Sequence, residues 1–138
     1  MADGAMIGAV VMFVHDLDLS VSFYQDVLAM EVTDRSSTAA LLTSGAGAQL
    51  ILRAVGGNAT HALGGIGVQY VVWTAASPAD LDRCERVLRH RSAYRDKRHA
   101  DGATVLEGRD PDDMVVMIVH PGPGQRLMQK VPVRSYAW

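Results

Sequence analysis

One pattern occurs twice in this chain. The strand-like run Ala9-Val10-Val11-Met12-Phe13-Val14 leads into Asp16-Leu17 and a helix-like stretch containing Ser20 and Phe23-Tyr24. Tyr70-Val71-Val72-Trp73-Thr74 then leads into Ser77-Pro78 and a second helix. A repeat of this size constrains the architecture more than any single motif, because each unit alone would leave one sheet face unburied and its edges unpaired.

The remaining elements fall into the same order in both halves. Residues 6–15 read as a strand, being rich in Val, Ile and Met. Asp16 or Asp18 can cap the following helix, whose expected buried stripe is Leu17, Val21, Tyr24 and Leu28. Strands are expected at 30–35, 38–44 and 47–54, separated by Ser36-Ser37 and Gly45-Ala46-Gly47. The glycine-rich stretch 55–65 reads as a linker. After it come a strand at 66–75 and a helix started by Ser77-Pro78-Ala79-Asp80, with Leu81, Cys84, Val87 and Leu88 on its apolar face. Strands at 92–99, 102–109 and 114–120 follow, the last two joined by Asp110-Pro111-Asp112-Asp113. The expected fold is α+β: two βαβββ modules, 6–54 and 66–120, forming a curved mixed half-barrel sheet with helices outside, within one domain of 138 residues.

Charge and cysteine content narrow the function classes. A net charge of −2 gives no field to hold a polyanion, so nucleic acid is not an expected partner. No apolar run approaches the roughly 20 residues of a membrane span, and no leader pattern opens the sequence, so a cytoplasmic protein is expected. Cys84, alone in the sequence, reads as a small apolar residue on the buried side of its helix. The mixed-charge stretch from Arg83 to Arg98 reads as a solvated helix and edge strand. His15, His61, His90, His99 and His120 are scattered, with no pair at ligand spacing on one expected face. Leu127, Met128, Val131, Val133, Tyr136 and Trp138 make the tail 121–138 apolar enough to dock on the domain or on a second subunit.

The run Val14-His15-Asp16-Leu17-Asp18-Leu19-Ser20-Val21-Ser22-Phe23-Tyr24 and the turn Arg109-Asp110-Pro111-Asp112-Asp113 together resemble the vicinal oxygen chelate superfamily. This family includes glyoxalase I, extradiol dioxygenases, fosfomycin-modifying enzymes and bleomycin resistance proteins. The resemblance spans about residues 7 to 121. It implies four inward-facing strand positions that carry ligands in metal-dependent members, and here these hold Ala9, Gln49, Tyr70 and Met117. Ala and Met offer neither imidazole nor carboxylate, so neither a metal nor another cofactor is expected.

The same alignment, continued by strand parity, yields a cavity lining. Val11 and Phe13 share the face of Ala9, while Val10, Met12 and Val14 face the helix. Gln49, Ile51 and Arg53 line it from the fourth strand, Tyr70, Val72 and Thr74 from the fifth, and Val115 and Met117 from the last. The candidate ligand-binding residues are therefore Val11, Phe13, Gln49, Arg53, Tyr70, Val72 and Met117. Apolar walls with a few polar groups suit a small molecule, with stacking on Phe13 or Tyr70 and anion pairing at Arg53. Phe13, Val72 and Met117 serve equally well as core filling. The expected function is metal-independent binding of an aromatic or amphipathic ligand, as in the bleomycin resistance branch, by a homodimer. A lyase or oxygenase with a non-standard or metal-free site is the alternative, with no catalytic residue assigned. An interaction module working through its tail is the third reading.

Overall fold

Strict alternation of burial along Ala39–Thr43 and Gln49–Ala54 turns Ala40, Leu42, Leu50 and Leu52 to one side, where each is almost wholly buried. That side meets a helix. The computed structural model describes residues 3–56, 59, 65–100 and 102–122, which belong to two compact units, Met1–Ala59 and Thr60–Trp138.

The first unit runs β1 (Val10–Val14), α1 (Leu17–Leu28), β2 (Glu31–Arg35), β3 (Ala39–Thr43) and β4 (Gln49–Ala54). Its sheet has the order β1-β4-β3-β2, with β1 parallel to β4 and the other pairs antiparallel. Asp16 is the N-cap of α1, accepting from the Leu19 backbone N–H at 3.1 Å, whereas Asp18 lies in the first turn and pairs with Arg35. The helix packs on β2, β3 and β4. Its buried face is Leu17, Ser20, Val21, Phe23, Tyr24 and Val27, so Val27 takes the place expected of Leu28. Full burial of side chains such as Leu42, Leu50 and Val27 stabilises the unit by about 1.5–3 kcal/mol each.

Ala29 ends α1 in the left-handed conformation, at φ 51° and ψ 44°. An L-residue there brings its Cβ against the following carbonyl, a strain glycine avoids. Ala29→Gly should therefore raise the stability of the first unit by about 1 kcal/mol, read as a higher urea midpoint. A lower midpoint would mean that glycine's added chain entropy outweighs the strain.

The second unit repeats the order: β5 (Val71–Thr74), α2 (Pro78–His90), β6 (Tyr94–Ala100), β7 (Ala103–Arg109) and β8 (Val115–His120), with sheet order β5-β8-β7-β6. The Ser77 side chain accepts from the Asp80 N–H at 3.0 Å, Pro78 occupies the first turn, and Asp80 reaches back to the Ala76 N–H at 3.1 Å. Leu81, Cys84 and Leu88 form the buried stripe of α2. Burial pushes the Cys84 thiol up to about 11, against the opposing pull of the Arg83 guanidinium, so it stays protonated and unreactive at neutral pH. Between β7 and β8, Asp110 Oδ1 accepts from the N–H groups of Asp112 and Met114, both at 2.9 Å, while Asp113 sits at φ 62°.

The expected strands are all trimmed in the structure, those at 6–15 and 66–75 the most. β1 begins at Val10, with Met6 and Ile7 exposed, and β5 spans Val71–Thr74. Among the described residues, β1 pairs with β4 over Val10–Val14 and β5 with β8 over Val71–Thr74. Most of the stretch 55–65, including His61, and the tail from 123 onward lie outside the described residues.

Candidate functional site

The helix-free face of the second sheet carries the densest chemistry. Ala103, Val105, Val115, Met117 and Val119 form a buried cluster there, and Tyr70 and Val72 pack against it while remaining half-buried. Registers place Val72 beside Met117, Met117 beside Glu107 and Glu107 beside Asp96, so one row of side chains crosses all four strands. Tyr70, Val72 and Met117 thus come together as parity counting expects.

Glu107 and its neighbours were not expected. Glu107 is only 4% exposed, in a strand whose other residues on this face, Ala103 and Val105, are apolar. Arg98 donates to Asp96 Oδ2 at 2.6 Å, and both of its terminal nitrogens lie 3.5 Å from Glu107 Oε1. Its side chain is 18% exposed, which corrects the reading of the whole Arg83–Arg98 stretch as solvated. Glu85, 19% exposed, departs from that reading in the same way, binding Arg89 at 2.9 Å and Lys97 at 2.8 Å, while Arg89 lies over the Tyr94 ring. The Lys97 hydrogen bond, then that of Arg89, holds the Glu85 carboxyl below its ordinary range.

The cause of the difference is a bulge in β6. Tyr94 pairs with Gly108, yet Asp96 rather than Arg95 pairs with Glu107. One extra residue lets Tyr94 and Lys97 both meet α2 while Asp96 and Arg98 turn to the opposite face. Period-two counting cannot reproduce this. A lone Glu within the apolar run of β7 was the available signal for it.

In the first unit, the helix-free face holds Val11 and Phe13 of β1 beside Ile51 and Arg53 of β4. Val11 is 58% and Phe13 66% exposed, Gln49 and Arg53 are exposed, and Ile51 is half-buried. Thr33 and Thr43 bridge through their hydroxyls at 3.0 Å on the neighbouring strands. This is an open, mixed face, suited to stacking at Phe13 and to an anion at Arg53.

The four positions that the resemblance marks for metal ligands do not fit a divalent ion. Ala9 precedes β1 and is exposed, Gln49 begins β4 and is exposed, Tyr70 precedes β5, and Met117 is fully buried in β8. None supplies imidazole or carboxylate. Among the described residues, no group of three or more His, Cys, Asp or Glu converges. His99 is engaged by the Thr104 hydroxyl at 2.9 Å.

With this geometry in view, the comparisons are specific. Residues 6–118 match the family model of the Glyoxalase/Bleomycin resistance protein/Dioxygenase superfamily. A glyoxylase/bleomycin resistance protein/dioxygenase domain from Frankia sp. EAN1pec superposes with a TM-score of 0.74 at 22% identity, covering 85% of this chain and 98% of that one. Lactoylglutathione lyase from Agrobacterium tumefaciens gives 0.64 at 18% identity, covering 84% and 93%. The fosfomycin resistance protein FosX from Mesorhizobium loti gives 0.67 at 15%, covering 92% and 99%. These likenesses concern the fold. No protein of curated function matches the chain by sequence. Among the described residues, no helix is long and apolar enough to cross a membrane.

Proposed function

Because the chain belongs to the glyoxalase/bleomycin resistance protein/dioxygenase superfamily, whose scaffold serves several chemistries, we propose that it is a metal-independent small-molecule-binding protein that sequesters an aromatic or amphipathic ligand. One observation carries this reading. On the helix-free face of the second unit, half-buried Tyr70 and Val72 pack beside the Met117 cluster, and a charged trio, Asp96, Arg98 and Glu107, borders it. Apolar surface of this kind supplies affinity, and the few polar groups set orientation. The donor set at Ala9, Gln49, Tyr70 and Met117 supports a site that works without a divalent ion.

The test is a thermal-shift panel of planar aromatic and amphipathic compounds. A binder at about 100 times its Kd should stabilise the protein by about 2.7 kcal/mol, and Tyr70→Ala should weaken it by about tenfold. A flat panel on folded protein would remove the proposal.

A lyase- or oxygenase-type enzyme is the second reading. The buried Glu107 carboxylate favours it, since a general base needs a positioned proton acceptor shielded from bulk water. Scoring the same panel for product by mass separates the two, because sequestration returns each compound unchanged.

A further inference from the structure

Two of the five histidines share one row of the second sheet. Thr104 of β7 pairs with His99 of β6 on one side and with His120 of β8 on the other, so the three side chains stand on the same face. Further along, this is the face that meets α2, because Lys97, two residues before His99, reaches Glu85 at 2.8 Å. The bulge between Tyr94 and Asp96 sets His99 opposite Thr104, which corrects the expectation that no two histidines share a face.

The rings are disposed to converge. Thr104 Oγ1 lies 2.9 Å from His99 Nδ1, which draws the exposed His99 ring across β7 toward β8. With the Nδ1 proton donated to Thr104, the Nε2 lone pair of His99 is left to bind, and a hydrogen bond of this kind is what fixes the tautomer and orientation of ligating imidazoles. His120 is half-buried at the end of β8, and no hydrogen bond joins its ring to another described residue. Adjacent strands are about 4.8 Å apart, which puts the two Cα atoms about 10 Å apart. An imidazole holding an ion through Nε2 keeps it about 6 Å from its own Cα, so two of them can meet above Thr104.

Chemistry selects the ion. Two imidazoles suit zinc, nickel or copper, whereas magnesium and calcium need several carboxylate or carbonyl oxygens. The charge of Lys97 is met by Glu85 and does not oppose a cation here. No third His, Cys, Asp or Glu converges among the described residues, so water completes the coordination.

We propose that His99 and His120 form a two-histidine site for a late first-row transition-metal ion, with Thr104 as the residue that positions His99. The site lies on the opposite face from Val72 and Met117 and is independent of the ligand-binding reading above. An ion bound there ties the edge strand β6 to β8 across β7.

The experiment titrates the untagged, metal-stripped full chain with Cu(II), followed by electron paramagnetic resonance. One ion per chain should bind, with nitrogen hyperfine structure from two imidazoles, and excess Mg(II) should not displace it. His99→Gln and His120→Gln should each weaken binding by about tenfold or more, and Thr104→Val by a smaller factor that leaves both nitrogens in the spectrum. His90→Gln, at the far end of α2, is the control and should change nothing. Circular dichroism checks that each variant is folded. Full affinity after either single replacement would overturn the proposal, as would a spectrum of the unaltered protein that lacks two nitrogens. So would an unaltered chain that binds Cu(II) no more tightly than the double variant.

Discussion

Gly108→Ala should lower the stability of the second unit by about 2–3 kcal/mol, although it adds a single methyl group. A Cβ at Gly108 would stand 2.8 Å from Leu88 Cδ2, 3.1 Å from Leu88 Cδ1 and 2.9 Å from the Ala93 carbonyl oxygen. Leu88 is fully buried in the stripe of α2, so its branch cannot swing into open space. The Ala93 oxygen belongs to the backbone and accepts from the Arg109 N–H at 2.9 Å, which ties it to the strand that would push it away. Relief therefore requires α2 to lift from β7, opening the core that both elements share. Urea denaturation should show a lower midpoint with an unchanged slope. Gly45→Ala is the matched control, because nothing lies within 4 Å of a Cβ there. Equal midpoints for the two variants would show that the helix is not held against the strand as described.

Arg98→Met should cost about 3 kcal/mol, the second large effect. Methionine keeps the apolar stem and removes the cation, leaving Glu107 buried beside Asp96 with no positive charge from Arg98. The loss measures the isolation of Glu107 more than the strength of the original pair, whose contact to Arg98 is long. Adding Glu107→Met to the same chain should therefore return most of the stability, since Asp96 is a third exposed and can turn to water. Urea midpoints of the single and double variants give the coupling directly. A double variant no more stable than Arg98→Met alone would mean that the guanidinium matters for packing rather than for charge.

Much of the fold was legible because the chain states its punctuation plainly. Asp16, Ser77-Pro78 and the Asp110-Pro111-Asp112-Asp113 turn act through contacts of a few residues, which sequence order preserves. Period-two counting worked in β4 and β8 because those strands pair without interruption on both sides. It placed Tyr70, Val72 and Met117 together, and Val11 and Phe13 beside Ile51 and Arg53. The limits are equally specific. Leu28 and Val27 are adjacent in sequence and alike in character, so only the docking angle of α1 decides between them. Arg98 and Glu107 were hidden by charge: polar residues were assigned to solvent, and no local pattern announces the extra residue that turns Arg98 around.

That extra residue recurs. β2 carries the same irregularity between Val32 and Asp34 that β6 carries between Tyr94 and Asp96, so the duplicated module includes its defect. In β6 the consequence is electrostatic. Were the strand to pair without the bulge, Arg95 would stand opposite Glu107 and Lys97 opposite Val105, and the row beside Met117 would turn from acidic to basic. The contacts of Lys97 with Glu85 and of Arg89 with Tyr94 select the acidic setting. Register in one edge strand thus sets the charge of this face, because a slip of one residue would exchange Asp96 and Arg98 for Arg95 and Lys97 along the row that ends at Met117.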